Sequence, residues 1–218
     1  LPAEWQVDYA GFRLKLKPTG FGHLGFFAEQ YRNWNWFREV LPRLGAGVKT
    51  LNLFAYSGVG SMAMAAGGAD VCHLDAAKGM IDWGQENLRL NPGCPDRIRW
   101  IVDDAMKFCK REVRRGSRYR LIALDPPSFG RGAQAQVWKI EDDLPKLLDE
   151  CRQLLELDQE CYVVLSCHSP GFSPATLGRI LTTHFGDGAV DAFEMGIPEH
   201  TGKTLPAGFC AIWSNRKP

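Results

Sequence analysis

Short apolar runs alternate with helix-like segments along most of this 218-residue chain. Runs of strand length cover residues 49–56, 69–75, 98–104, 119–125 and 161–167. The segments between them place apolar residues at helical spacing, as Met80, Ile81 and Leu88 do within residues 77–91. Strands without a polar face, separated by helices, are typical of a parallel sheet that is covered on both sides. The pattern therefore predicts a doubly wound α/β fold with right-handed crossovers.

Both ends of the chain depart from this alternation. Residues 4–20 predict a β-hairpin, and residues 26–41 predict a helix laid against the domain. Residues 189–196 and 208–214 lack a full helix between them, so we expect the last two strands to be antiparallel. A chain of this length forms one core, with a hairpin extension over residues 1–21 and the main domain over residues 22–218.

Composition and charge exclude several classes of protein. The formal net charge of +1 gives no overall field that draws nucleic acid, so any such contact has to be local. The cysteines number seven, an odd count, and include no CxxC pair, which predicts free thiols and hence a cytoplasmic location. They also lack zinc spacing, so we expect no metal site. No apolar stretch approaches the roughly 20 residues of a membrane span, so we expect no membrane partner. The sequence leaves the oligomeric state open.

Polar and small residues follow four of the predicted strands. In a doubly wound sheet the ligand lies beyond the carboxyl ends of the strands. The turn with Gly58 and Gly60 allows a close approach of backbone to ligand, and the helix after it offers free N–H groups. Asp75 follows Gly58 at about the interval usual for a carboxylate that accepts ribose hydroxyls. Together they predict a cofactor that contains adenosine, although Asp75 alone is also a plausible helix cap.

Two cofactors fit this arrangement. Gly58, Gly60 and Ala63 satisfy GxGxxA, which admits a nicotinamide dinucleotide and hence an oxidoreductase. That chemistry needs a Tyr/Lys pair or a His near the fourth strand, where the chain reads DPPSF instead. S-adenosylmethionine, which carries adenosine without a pyrophosphate, is favoured for this reason. A binding module without catalysis is a third hypothesis.

The stretch LDPPSFGRG, residues 124–132, holds the candidate target site. The prolines restrict the backbone, so the carbonyls of Asp125 and Pro126 become fixed acceptors for the exocyclic amine of a base. Phe129 offers a face on which an unpaired base stacks. A plain turn after a strand is the structural alternative.

The segments HLGFFAEQ, LNLFAYSGVG, DDAMKF and LDPPSFGRG resemble the class I S-adenosylmethionine-dependent methyltransferases related to the bacterial 23S ribosomal RNA cytosine-C5 methyltransferases. The resemblance runs from about Gly22 onward. It implies a Rossmann-like seven-stranded sheet, a methyltransferase domain over residues 22–218 and RNA, expected to be ribosomal RNA, as substrate. It also implies substrate contacts from Pro126, Pro127, Phe129 and Arg131, and a cofactor site formed by Gln30, Phe54, Ser57, Gly58, Gly60, Asp75, Ala76, Asp104 and Ala105.

By similarity, the glycine turn borders the methionine moiety, Asp75 holds the ribose and Asp104 lies beside the adenine. Gln30 is expected to close over the cofactor. The chain departs from the family at Ala28, where relatives often have proline, and at Ser128, where a basic residue is common. We also expect it to lack the N-terminal PUA domain of the best-known relatives.

Cys167 is the candidate nucleophile, with Asp125 as the second catalytic residue. Carbon 5 of cytosine is not nucleophilic, so its methylation needs a thiolate that first adds to C6. Cys167 ends the fifth predicted strand, resembles the cysteine of the family's S-C-S segment and is expected to face Asp125 across the pocket. His168 would activate this thiol only if both side chains shared a face, which strand neighbours do not. If Cys167 is a buried cysteine instead, the same pocket suits methylation of a nitrogen.

A run of basic residues, 107–120, is the candidate RNA contact outside the pocket. Such a run on a helix is either a solvated face or a site for the phosphate backbone. Arg131, on the loop after DPPSF, is a further candidate for a phosphate contact. The basic residues of the run are Lys107, Lys110, Arg111, Arg114, Arg115, Arg118 and Arg120.

Overall fold

The computed structural model describes residues 2–20, 22–131 and 137–216, with only the backbone of Arg131. The chain begins with β1 (Trp5–Tyr9) and β2 (Phe12–Leu16), and continues through α1 (Tyr31–Leu44), β3 (Lys49–Leu53), α2 (Val59–Ala66), β4 (Asp70–Asp75), α3 (Lys78–Arg89), β5 (Ile98–Val102), α4 (Ala105–Arg114) and β6 (Leu121–Leu124). It ends with β7 (Phe129–Arg131), β8 (Val137–Lys139), α5 (Ile140–Leu154), β9 (Tyr162–Cys167), α6 (Pro174–Phe185), β10 (Ala189–Pro198) and β11 (Thr204–Ser214).

A seven-stranded sheet forms the centre of the molecule, in the order β10-β11-β9-β6-β3-β4-β5. Strands β3, β4, β5, β6 and β9 are parallel, whereas β11 runs antiparallel to both β9 and β10. The prediction of a doubly wound α/β fold with an antiparallel last pair is confirmed. The order reverses between β3 and β6, which places the switch point beside the ends of these two strands.

Helices cover both faces of the sheet, because the inner strands are apolar on both sides. One face packs α4, α5 and α6 against Leu53, Ile122 and Val163, and the other packs α1 and α2 against Leu121 and Val164. Alternate residues of β6 and β9 therefore enter different layers of core. No helix in the described ranges combines the length and the apolarity that crossing a membrane requires.

The predicted N-terminal hairpin forms and packs against α3. Asn91 and Asn87, which lie one helical turn apart, accept hydrogen bonds from the backbone N–H groups of Arg13 and Lys15 at 2.8 and 2.9 Å. The amide group of Asn87 also donates to the Ser57 carbonyl at 3.0 Å. One side chain thus joins the hairpin to the glycine turn after β3.

The helix predicted over residues 26–41 begins later than expected. A 3-10 turn covers Ala28–Gln30 and α1 starts at Tyr31. The segment before the turn is held against the loop after β3, since the Ser57 hydroxyl donates to the Gly25 carbonyl. This anchoring places the 3-10 turn above the carboxyl ends of the strands.

Candidate active site

A cavity of about 870 Å³ opens at the carboxyl ends of the parallel strands. Its volume lies in the range of roughly 300–1,000 Å³ that is typical of sites for small molecules. The predicted strand-end residues meet there, as the topology requires. Those that line the cavity are Phe54, Asp75, Ala76, Asp104, Ala105, Asp125, Pro126 and Pro127.

Asp75 ties the loop after β3 to the end of β4. Its two carboxylate oxygens accept the backbone N–H groups of Tyr56 at 3.0 Å and Ala77 at 2.9 Å. Burial raises the pKa of this carboxyl, although the two backbone hydrogen bonds oppose the shift. Each oxygen keeps a second lone pair, so the carboxylate remains able to accept hydroxyl groups from the cavity.

The loop that Asp75 holds contains two residues in the left-handed region. Phe54 has φ of 57° and Tyr56 has φ of 51°, values that are uncommon for residues other than glycine. Such backbone persists only where the surroundings fix it, and it is concentrated at functional sites. Both side chains line the cavity.

The glycine turn itself is built for packing as well as for a ligand. Gly58 has φ of +88°, and a Cβ there would lie 3.1 Å from both the Gly84 Cα and the Trp100 ring. The Ser57 hydroxyl is already bonded to Gly25, as described above. Ser57 and Gly60 line a second cavity of about 70 Å³, whereas Gly58 lines neither. Ser57 and Gly60 thus face one cavity, whereas Gly58 packs against Gly84 and Trp100, and the contact of all three with the methionine moiety stays a prediction.

The smaller cavity lies beside the larger one. The two share Phe27, Phe54, Tyr56 and Asp125 in their linings. Asn52 and Ser166 add polar atoms to the smaller cavity. The shared lining makes the pair one composite site.

Asp104 follows β5 and lies at the end of the larger cavity that is farther from Asp125. It is the N-cap of α4, where its Oδ1 accepts the Lys107 backbone N–H at 2.9 Å. Its neighbour Asp103 forms an ion pair with Arg111 at 2.7 Å. Both aspartates line the cavity, which therefore carries carboxylates at both ends.

Asp125 is held by side chains from two other segments. Its Oδ2 accepts a hydrogen bond from Gln30 Nε2 at 3.0 Å, and its Oδ1 lies 3.5 Å from His168 Nδ1. Gln30 also donates to Ser166 Oγ at 2.9 Å and accepts from Asn33 Nδ2 at 2.7 Å. Gln30 lines the smaller cavity and not the larger one, so it holds Asp125 from the 3-10 turn, and its contact with the cofactor stays a prediction.

His168 bridges Asp125 and Glu29. Its Nε2 lies 2.9 Å from Glu29 Oε1. Burial alone would lower the pKa of His168, but the hydrogen bonds and charges of Asp125 and Glu29 raise it to about 10. The imidazole is therefore a cation at neutral pH.

Phe129 does not line the cavity, contrary to the prediction. In the β7–β8 pair Gly130 lies opposite Trp138, and both face the cavity, whereas Phe129 is on the other side of the strand and 53% exposed. The Trp138 indole N–H donates to the Pro127 carbonyl at 2.7 Å, and its ring lies 5.1 Å from that of Phe54. The flat side chain at this wall is therefore Trp138. The side chain of Arg131 lies outside the described part of the chain.

Cys167 is not in the cavity either. Its side chain is 0% exposed within the core beneath α5 and α6, and its Sγ accepts the Ser169 backbone N–H at 3.4 Å. The residue before it, Ser166, points to the Asp125 side of the sheet because strand neighbours alternate. None of the seven cysteines, all of which are described and free, lines the larger cavity. The expectation that Cys167 faces Asp125 is wrong.

None of the basic residues at positions 107–120, a segment that the structure describes in full, lines the cavity, although Arg111 pairs with the cavity residue Asp103. The run starts near the carboxyl edge of the sheet and ends where β6 begins, at the opposite edge. Arg111 and Arg115 form ion pairs with Asp103 and Glu112, and Arg120 donates to the Glu160 carbonyl. Of the two interpretations of this run, a solvated and partly ion-paired helix face therefore fits better than an RNA contact beside the cavity.

Sequence reasoning missed Glu29, Trp138 and the role of His168. Glu29 and His168 are far apart in sequence, and only the contact of the 3-10 turn with the end of β9 joins them. The sequence around Trp138 gives no signal of the direction of its side chain. The alternation of β7 would have shown that Phe129 and Gly130 point to opposite sides.

Comparison with known proteins gives one family match. A family model described as S-adenosylmethionine-dependent methyltransferase matches residues 2–175. A curated relative, the ribosomal RNA large subunit methyltransferase K/L of Pseudomonas paraeruginosa, is 31% identical over 146 residues, which are 66% of this chain. The chain spans only 19% of the length of that relative.

Solved structures share the fold. A SAM-dependent methyltransferase from Agrobacterium tumefaciens is similar with a TM-score of 0.91 and 35% identity, over 99% of this chain and 71% of that chain. The methyltransferase SMU.776, solved in complex with SAH, has a TM-score of 0.78 at 20% identity over 98% of this chain and 56% of that chain, a likeness of fold alone. None of these three names states a target base.

Proposed function

The chain belongs to the S-adenosylmethionine-dependent methyltransferase family, and we propose that it transfers the methyl group to a nitrogen of a base in RNA. Ribosomal RNA is the proposed substrate class, because the curated relative carries that name. S-adenosylmethionine is the cofactor of the family, so the nicotinamide alternative falls away. The observation that carries the proposal is the meeting of Asp75, Asp104 and Asp125 in one cavity.

The cofactor fits the end of the cavity formed by β4 and β5. Asp75 would accept the ribose hydroxyls on the free lone pairs of its carboxylate. Asp104 and Ala105 would border the adenine, and the Trp138 ring offers it a flat wall. The methionine moiety would extend past Phe54 toward the smaller cavity. When bound, the cofactor supplies an electrophilic methyl group on a sulfonium.

The target base fits the other end of the cavity, beside Asp125. The Asp125 carboxylate and the Pro126 carbonyl would accept the hydrogens of an exocyclic amine and so orient its nitrogen. Phe27, whose ring lies 5.8 Å from that of His168, lines both cavities and takes the stacking role that was predicted for Phe129. These groups bind, orient and exclude water, which is what transfer between two fixed reactants requires.

A nitrogen target is proposed because no thiol reaches the base. Methylation at carbon 5 of cytosine needs a nucleophile that adds to C6, and Cys167 is buried on the far side of β9. A nitrogen would use its own lone pair to displace the methyl group from the sulfonium, whose C–S bond breaks, and the N–H proton would pass to the Asp125 carboxylate that accepts its hydrogen bond. Only orientation and hydrogen-bond acceptors are then needed from the protein.

Transfer from deuterium-labelled S-adenosylmethionine to unmodified ribosomal RNA tests the proposal, with the nucleosides separated and weighed by mass spectrometry. We expect a labelled N-methyl nucleoside from the unaltered protein and none from Asp125→Ala, whose cofactor affinity by calorimetry should stay within about 3-fold. A labelled 5-methylcytidine would contradict the nitrogen target. Absence of label from every RNA would contradict the RNA substrate.

Two further points belong to the proposal. We place the boundary between the hairpin extension and the methyltransferase domain at residues 21 and 22. Asn87 and Asn91 join the two parts through the backbone N–H groups of Lys15 and Arg13. We also propose a cytoplasmic location, which seven unpaired cysteines support.

A further inference from the structure

The ring of His168 lies in a slot between two carboxylates that come from distant segments. Nε2 is 2.9 Å from Glu29 Oε1 and Nδ1 is 3.5 Å from Asp125 Oδ1. Phe27 covers the ring from one side at 5.8 Å between centroids. On β11, a Cβ at Gly208 would lie 2.7 Å from His168 Cδ2, so the glycine leaves room for the ring. The imidazole is thus held on several sides.

Glu29 needs this partner because its side chain is buried. The residue is 7% exposed, and a buried carboxylate is costly unless a cation or several donors compensate it. His168 is the cationic group within ion-pair distance of it among the described residues. The 3-10 turn that carries Glu29 is therefore tied to the end of β9 and, through the same ring, to the end of β6.

The bridge fixes the two oxygens of Asp125 from opposite directions. Oδ2 accepts from Gln30 and Oδ1 faces His168, so rotation of the carboxylate would break one contact or the other. We propose that His168 is a positioning residue, which links Glu29 to Asp125 and holds the Asp125 carboxylate toward the target amine. This inference rests on the proposed function, in which Asp125 accepts the hydrogens of that amine.

The bridge has a definite dependence on pH. The charged groups that face the ring in the described residues are Glu29 and Asp125. They raise the pKa of His168 from 6.5 to about 10 against the opposing effect of burial. A raised pKa means that the stability contributed by the bridge is fully present below about pH 6.5 and is lost as the pH rises through about 10, where the folded protein gives up the proton.

Replacement of His168 separates positioning from folding. We expect His168→Gln to lower kcat about 10- to 100-fold while KM and the calorimetric affinity for S-adenosylmethionine stay within about 3-fold. The alkaline fall in kcat of the unaltered protein should disappear in this variant. The matched control is His184→Gln, which removes an imidazole paired with Asp149 at 2.8 Å on the exposed α5–α6 surface and should leave kcat unchanged.

The double variant Glu29→Gln/His168→Gln keeps the inference falsifiable if His168→Gln unfolds. It removes both charges together, so thermal stability should recover relative to His168→Gln while kcat stays low. Recovery of kcat along with stability would overturn the positioning role. An unchanged kcat in His168→Gln would overturn it as well.

Titration of the histidine rings by NMR tests the bridge without any activity. His168, assigned by comparison with His168→Gln, should remain protonated beyond pH 8.5, and Glu29→Gln should lower its pKa. A His168 that titrates near 6.5 would refute the bridge. Failure of the unaltered protein to methylate RNA, with the high pKa intact, would instead refute the proposed function and with it the target of the positioning.

Discussion

Replacement of Asp75 by alanine tests how the cofactor end of the site is built. The carboxylate has two tasks in the proposed mechanism: it accepts the Tyr56 and Ala77 backbone N–H groups, and it accepts the ribose hydroxyls. Asp75→Ala removes both at once. Stability reports the first task and cofactor affinity reports the second.

The magnitudes follow from the two sets of hydrogen bonds. The Tyr56 N–H is left without its acceptor inside the loop, whereas the Ala77 N–H can reach water, so we expect a loss of about 1–2 kcal/mol of stability. For a chain of this size that lowers Tm by roughly 2–8 °C. Loss of charge-assisted bonds to the ribose, worth about 1.5–3 kcal/mol, should weaken cofactor binding by about 10- to 150-fold.

The assay combines calorimetry with S-adenosylmethionine and thermal unfolding without it. The matched control is Asp82→Ala, since Asp82 is an acid of the neighbouring helix that pairs with the exposed Lys78 at 2.7 Å and does not line the cavity. The control removes the same charge, and we expect its affinity to stay within about 3-fold of the unaltered protein. Equal affinities for Asp75→Ala and Asp82→Ala would refute the assignment of the ribose to Asp75.

Three other substitutions test the adenine wall, the atom that is methylated, and the packing of α3 against Trp100. Trp138→Ala should weaken S-adenosylmethionine about 10-fold by calorimetry, because the adenine loses its flat wall, and Trp138→Phe should weaken it less; equal affinity of all three proteins would refute this wall. Cys167→Ala should keep kcat within about 3-fold, because the thiol is buried, and a loss of about 100-fold in a folded protein would contradict the nitrogen target. Gly84→Ala should lower Tm by roughly 2–12 °C through overpacking, since the new Cβ would lie 2.5 Å from Trp100, whereas Gly79→Ala on the same helix meets no atom within 4 Å and should not; equal Tm values would refute the packing argument.

The sheet and the position of the site were predictable because they depend on patterns that repeat along the chain. Each inner strand is mostly apolar, and a polar residue stands at or just after the carboxyl end of several of them, as with Asp75 and Asp125. Parallel strands bring such ends to one edge of the sheet. The residues at the strand ends are therefore the ones expected to line the cavity. The pattern also gave the antiparallel last pair, because no full helix separates β10 from β11.

Side-chain direction at the ends of strands was not predictable to the same degree. Neighbouring residues of a strand point to opposite faces of the sheet, and the sequence does not fix which residue is the last of the strand. An error of one residue therefore assigns a side chain to the wrong face. Cys167 was expected in the pocket and lies in the core, while Ser166 takes the inward position. The same alternation separates Phe129 from Gly130 on β7.

The polar network around Asp125 was beyond sequence reasoning for a different reason. Gln30, His168 and Asp125 meet only because the segment before α1 folds back over the sheet edge, and no local pattern encodes that path. Glu29 would be an ordinary exposed acid if the turn lay elsewhere, and its burial has a cost that, among the residues the structure describes, the His168 cation relieves. Glu29 is buried on a turn above the target end of the cavity, and its partner His168 also contacts Asp125. This arrangement is therefore better explained by a role in positioning Asp125 than by a contribution to stability alone.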